Sequence, residues 1–78
     1  MEDEVSKTIL KIVNSANEPL ETTEIIAKLG KVSRSMVLYR LNDLRGEGKI
    51  KGKSIGPGKG AWLWWKVNAF SKLAKPEI

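Results

Sequence analysis

The spacing of apolar residues changes period once along this chain, at Gly46 and Gly48, and that change limits the folds open to it. Before the glycines, apolar side chains recur every three or four residues, as on one face of a helix. After them, residues 49 to 67 read as two extended runs around a glycine-rich centre, the pattern of a hairpin. A chain of 78 residues has room for one core. Helices and hairpin must therefore share it, and the expected class is α+β, a single domain over 1–78 with its hairpin after its helices.

Residues 4 to 16 place Val5, Ile9, Ile12, Val13 and Ala16 on one stripe, and Asp3 or Glu2 is positioned to cap that helix. Ser15-Ala16-Asn17-Glu18-Pro19 breaks it, leaving Leu20-Glu21 for a very short strand. Thr22 reads as the N-cap of a second helix over residues 23 to 29, with Ile25, Ile26 and Leu29 inward and Gly30 as a left-handed C-cap. After Gly30-Lys31-Val32, Ser33 caps a third helix over 34 to 45. Val37, Leu41 and Leu44 fall within ~60° on its wheel and form its core stripe. Ser35, Tyr39 and Asn42 then point away from the core, flanked by Met36 and Asp43. Arg34, Leu38 and Arg45 sit on one shoulder and Arg40 on the other, where Glu47 is its local candidate partner.

The hairpin is expected as strands 49–55 and 61–67 around the tip Gly56-Pro57-Gly58-Lys59-Gly60. In the second strand Leu63, Trp65 and Val67 share one face, and Trp62, Trp64 and Lys66 the other. Three tryptophans exceed what so small a core can take, so at least one is expected to serve a surface. In the tail, 68–78, Phe70 and Leu73 have the spacing of a helical turn that packs back.

Charge supplies the first functional clue. Residues 1 to 27 set Lys7 and Lys11 against six acids, a net −4, whereas residues 28 to 75 set twelve Lys and Arg against Asp43 and Glu47, a net +10. A chain with one strongly basic section suits an anionic partner, nucleic acid above all. The absence of cysteine and histidine excludes disulfides, zinc fingers, Ser-His-Asp triads and imidazole acid–base chemistry. Gly56-Pro57-Gly58-Lys59-Gly60 lacks the Ser/Thr and following helix of a phosphate-binding loop. No enzyme activity and no cofactor or metal are expected. No apolar run approaches a membrane span, and the start Met1-Glu2-Asp3-Glu4 is acidic where a signal peptide is basic. The expected location is cytoplasmic, with no membrane partner.

Helix, short strand, helix, tight turn, helix and hairpin is the order of the winged helix-turn-helix superfamily, which the chain resembles over residues 5 to 67. The resemblance rests on Thr23-Glu24-Ile25-Ile26-Ala27-Lys28-Leu29-Gly30, on residues 33 to 45, and on the exit Leu41-Asn42-Asp43-Leu44-Arg45-Gly46-Glu47-Gly48-Lys49-Ile50. It implies double-stranded DNA as partner, with the third helix in the major groove and the hairpin, or wing, along the backbone. On that reading Lys31, Ser33, Arg34, Ser35 and Met36 meet phosphates or base edges at the leading end of the helix, followed by Tyr39 and Arg40 one turn on. Lys49, Lys51, Lys53 and Lys59 charge the wing, and Trp64 and Trp65 complete the set of contacts.

Such modules pair to read two half-sites, which makes a homodimer a candidate assembly, and the expected role is that of a transcriptional regulator or an accessory chromosomal or viral DNA-binding protein. A narrower resemblance is to Z-alpha domains, which bind left-handed duplex: Ser35, Tyr39 and Trp65-Lys66-Val67 stand in the places of their polar residue, tyrosine and wing tryptophan. Serine replaces the expected asparagine, and no proline-rich approach precedes the tryptophan. Winged helices also serve as protein-interaction modules, which Met36 and Asp43 on the outer helix face favour. Exposed tryptophans also suit unpaired bases, RNA included.

Overall fold

Asp3 opens the first helix by accepting the Ser6 N–H on Oδ1 at 2.9 Å, and α1 runs over Glu4–Ser15. The computed structural model describes residues 3–57 and 61–67; Lys59 and the expected turn around Phe70 and Leu73 lie outside them. After α1 come β1 (Leu20–Glu21), α2 (Thr22–Leu29), α3 (Arg34–Gly46), β2 (Ile50–Ser54) and β3 (Trp62–Lys66). Three helices and a small antiparallel sheet make an α+β winged-helix arrangement.

Two helix ends differ from the sequence reading, each for a physical reason. Thr22 is the first residue of α2 rather than its cap, and Glu21 takes the N-cap position, its N–H donating to Glu24 Oε1 at 2.7 Å. The Thr22 hydroxyl is needed elsewhere: it is fully buried and accepts the Trp64 indole N–H at 2.9 Å. Helix α3 continues through Gly46 and is stopped by Gly48. There φ is 78°, Lys49 N–H donates to Leu44 O and Gly48 N–H to Arg45 O, the paired closure of a Schellman motif. Gly30 also has a positive φ, 93°, but its ψ of −104° lies outside the left-handed helical basin. Val32 N–H turns back onto Gly30 O at 3.0 Å, making the reversal between α2 and α3 tighter than a simple C-cap.

The sheet order is β1-β3-β2, so the returning strand is central. Leu20 faces Trp64 and Glu21 faces Leu63; on the other side Lys51 faces Trp65, Gly52 faces Trp64 and Lys53 faces Leu63. Directly paired residues point to the same side of a sheet. The inner face therefore carries Leu20, Ile50, Gly52, Trp62 and Trp64, and the outer face Glu21, Lys51, Lys53, Leu63 and Trp65.

Inside, Trp64 joins Ile9 and Val13 of α1, Ile25 of α2, Val37, Leu41 and Leu44 of α3, and Leu20 and Ile50 of the strands. Trp62 stacks on it at 5.1 Å and 17°. The closeness of β2 to the indole explains Gly52, where a Cβ would stand 2.5 Å from Trp64 Cε3. No side chain fits there without moving the largest buried residue of the core.

Candidate nucleic-acid interface

The leading end of α3 is built by Ser33, whose Oγ accepts the Met36 N–H at 3.2 Å. The first intrahelical bond runs from Val37 N–H to Ser33 O, so the Arg34 and Ser35 N–H groups have no acceptor within the helix. Lys31, Ser33, Arg34 and Ser35 are all exposed around this end. It combines the positive pole of a three-turn helix with two cationic side chains and two hydroxyls, a set suited to phosphate.

One turn on, the outer face presents two large side chains that the core does not take. Tyr39 is 64% exposed and Met36 39%. Asn42 and Asp43 continue this face, and the Asn42 amide folds back to donate to Leu38 O at 2.9 Å. The outer face of α3 is thus mixed, cationic at its start and acidic at Asp43.

Arg40 is placed otherwise than the wheel suggests. Its guanidinium pairs with Asp3 at the cap of α1, Nη2 to Oδ2 at 2.6 Å, and lies 5.5 Å over the Tyr39 ring. Glu47, its local candidate partner, instead stands 3.5 Å from Lys49. The charge of Arg40 is therefore already engaged by a carboxylate. The Ser6 N–H above all holds the Asp3 carboxyl below the ordinary value, against the opposing effect of burial, and the Ser6 hydroxyl and the Arg40 guanidinium add lesser pulls in the same direction.

On the hairpin, Lys49, Lys51 and Lys53 are exposed, the last two on the outer sheet face. Trp65 is half-buried on that same face. Trp64, expected among the contact residues, is 1% exposed and belongs to the core, because alternation turns it inward and the Thr22 hydroxyl gives its N–H a buried acceptor. It cannot touch a ligand without unfolding the sheet. Arg45 was not singled out as a site residue, yet it joins helix to hairpin: its guanidinium lies 5.1 Å over the Trp62 ring, and its Cδ is 3.3 Å from where a Gly52 Cβ would be. The only trace of this in the sequence was its place on the same helix shoulder as Arg34.

With helices, reversal and hairpin in place, the comparison with known families is decisive. Residues 4–59 match the TBPIP/Hop2 winged helix domain, from the start of α1 into the hairpin tip. The chain belongs to this family. The family points to a DNA-binding or protein-interaction module. No curated protein matches the chain. Among the described residues, no group of acidic, cysteine or histidine side chains could hold a metal ion, and no helix is long and apolar enough to cross a membrane.

Proposed function

We propose that this winged helix domain binds duplex DNA, inserting the outer face of α3 into the major groove while the wing lysines lie along the phosphate backbone. One observation carries the reading. The capped end of α3 displays Lys31, Arg34 and Ser35 in solvent, ahead of a tyrosine that is 64% exposed. An aromatic ring outside the core, one turn behind a cluster of phosphate-seeking groups, suits a groove better than it suits water. Its role is binding rather than catalysis, regulation of transcription is the process it fits, and two copies reading paired half-sites are the assembly that would give so small a module enough contact.

The second reading is a protein-interaction module, favoured by Met36 at 39% exposure and by Asp43 on the same face. Fluorescence anisotropy of labelled random duplex at ~50 and ~200 mM salt separates the two. Duplex binding that falls steeply with salt, and that drops about 10-fold in R34A and in Y39A, supports the DNA reading. No binding at the lower salt overturns it and moves the weight to a protein partner. An alternating-GC competitor held in the left-handed form shows whether Tyr39 and Trp65 serve Z-form duplex.

A further inference from the structure

The duplex reading draws on the start of α3 and on the wing lysines, and leaves the far end of the helix without a part. Where α3 passes into β2 the surface has a hollow of about 400 Å³, with Arg45, Gly48, Lys51 and Gly52 in its wall. Arg45 is exposed, and its guanidinium lies 5.1 Å over the Trp62 ring. A ring engages the face of a guanidinium and leaves the N–H groups in its plane able to donate. Among the described residues no carboxylate pairs with Arg45 or with Lys51. The acids at this end of α3, Asp43 and Glu47, are not in the wall.

The backbone adds a donor of its own. With the sheet order β1-β3-β2, β2 is an edge strand. Ile55 N–H donates to Ala61 O, and bonded and non-bonded pairs alternate along an antiparallel ladder. Lys51 and Lys53 therefore bond to Trp65 and Leu63 opposite them, whereas Gly52, between the two, turns its N–H away from β3, with no side chain beside it. The negative pole of α3 is blunted here, because three of its last carbonyls already accept: Asp43 O from Glu47, Leu44 O from Lys49 and Arg45 O from Gly48.

We infer that this notch seats a phosphate of the duplex backbone, held by the Arg45 guanidinium and the Gly52 N–H, with Lys51 at its rim for the next phosphate. The inference rests on the duplex reading and adds Arg45 to Lys31, Arg34, Lys51 and Lys53 as a phosphate contact. Arg34 and Arg45 are eleven positions apart, which sets them within ~20° on the helical wheel and about 16 Å apart along the axis. Two cations so spaced on one shoulder reach the phosphate walls on both sides of a major groove about 12 Å wide. Trp62 holds the guanidinium in place beforehand, so less side-chain freedom is lost when the phosphate arrives.

The test uses the whole chain with labelled random duplex, read by anisotropy across a salt series, and with isotope-labelled protein followed by amide NMR as the same duplex is added. R45M keeps a long stem over Trp62 without the charge, R45K keeps the charge without the fork, and R34A reports on the start of α3. Expected are an affinity about 10-fold lower in R45M, a log–log salt slope shallower by about 1 in that variant, and a slope in R45K near that of the wild type. The Gly52 amide signal, which needs no variant to be read in the wild type, is expected to move on addition of duplex and to stay still in R45M. Wild-type affinity and slope in R45M, or a Gly52 amide that stays still in the wild type while those of Ser35 and Tyr39 move, overturns the inference and leaves the duplex reading standing. Equal losses in R45M and R45K, with the wing signals already displaced before duplex is added, overturn it too, since Arg45 would then only prop the wing on α3. Binding lost in R34A and kept in R45M overturns the phosphate seat alone, whereas no duplex binding by the wild type overturns the duplex reading and the seat together.

Discussion

Trp64 can be 1% exposed only because its one polar atom finds an acceptor, and Thr22 supplies it from 42 residues away in the chain. A buried indole N–H without a partner forfeits its hydration with nothing in return. Replacing Thr22 by Val keeps shape but removes the acceptor, and is expected to destabilise the fold by about 1–3 kcal/mol, read as a lower Tm, while T22S retains most of the stability. In W64F, where no N–H needs an acceptor, the added T22V is expected to do less harm than in the parent; equal losses would mean the hydrogen bond contributes nothing. The same pair shows where residue-scale reading stops. Alternation placed Trp62 and Trp64 together correctly, but a threonine before a helix carries the same local signal whether its hydroxyl caps that helix or meets a side chain across the core. Only tertiary structure separates the two, and with them the fate of Trp64.

Between elements, the ion pair of Arg40 with Asp3 ties α3 to the cap of α1. A helical wheel offers only neighbours within a turn or two, which is why Glu47 was the visible partner and Asp3 was not. Element order and the inward faces were legible because each helix carries its own stripe and its own stop, as with Val37, Leu41, Leu44 and Gly48. Pairing between elements was not. The Asp3 carboxyl is held below its ordinary value of 3.8, chiefly by the Ser6 N–H. A depressed carboxyl contributes stability that is present above its unfolded pKa and is lost as pH falls through the folded one. D3N retains a good capping side chain but not the charge. It should therefore melt below the wild type at pH 7, with the gap closing as the pH is lowered past 3.8. Melts followed by circular dichroism at pH 7, 5 and 3 check this, and a gap unchanged at the lowest pH would mean that the charge of Asp3 is not its source.

For the whole molecule, the total of charge and its placement have separate consequences. Lys7 and Lys11 lie on the exposed side of α1, away from the buried Ile9 and Val13, whereas Lys31 and Arg34 surround the start of α3 and Lys51 and Lys53 border the wing. Net charge and a placed patch predict different salt behaviour, because only cations that neutralise phosphates release counterions. Four such contacts from the described residues give a plot of log affinity against log salt a slope of about −3 to −4 on duplex DNA. Removing Lys51 and Lys53 together should make the slope shallower by about 2. Removing Lys7 and Lys11, as K7Q/K11Q, takes away the same charge from α1 and should leave both slope and affinity nearly as they were. If the two double variants shift the slope equally, attraction to DNA comes from the net charge of +5 rather than from a surface, and the wing has no assigned place on the backbone. If only the wing variant shifts it, the basic half of the sequence has been folded into a site.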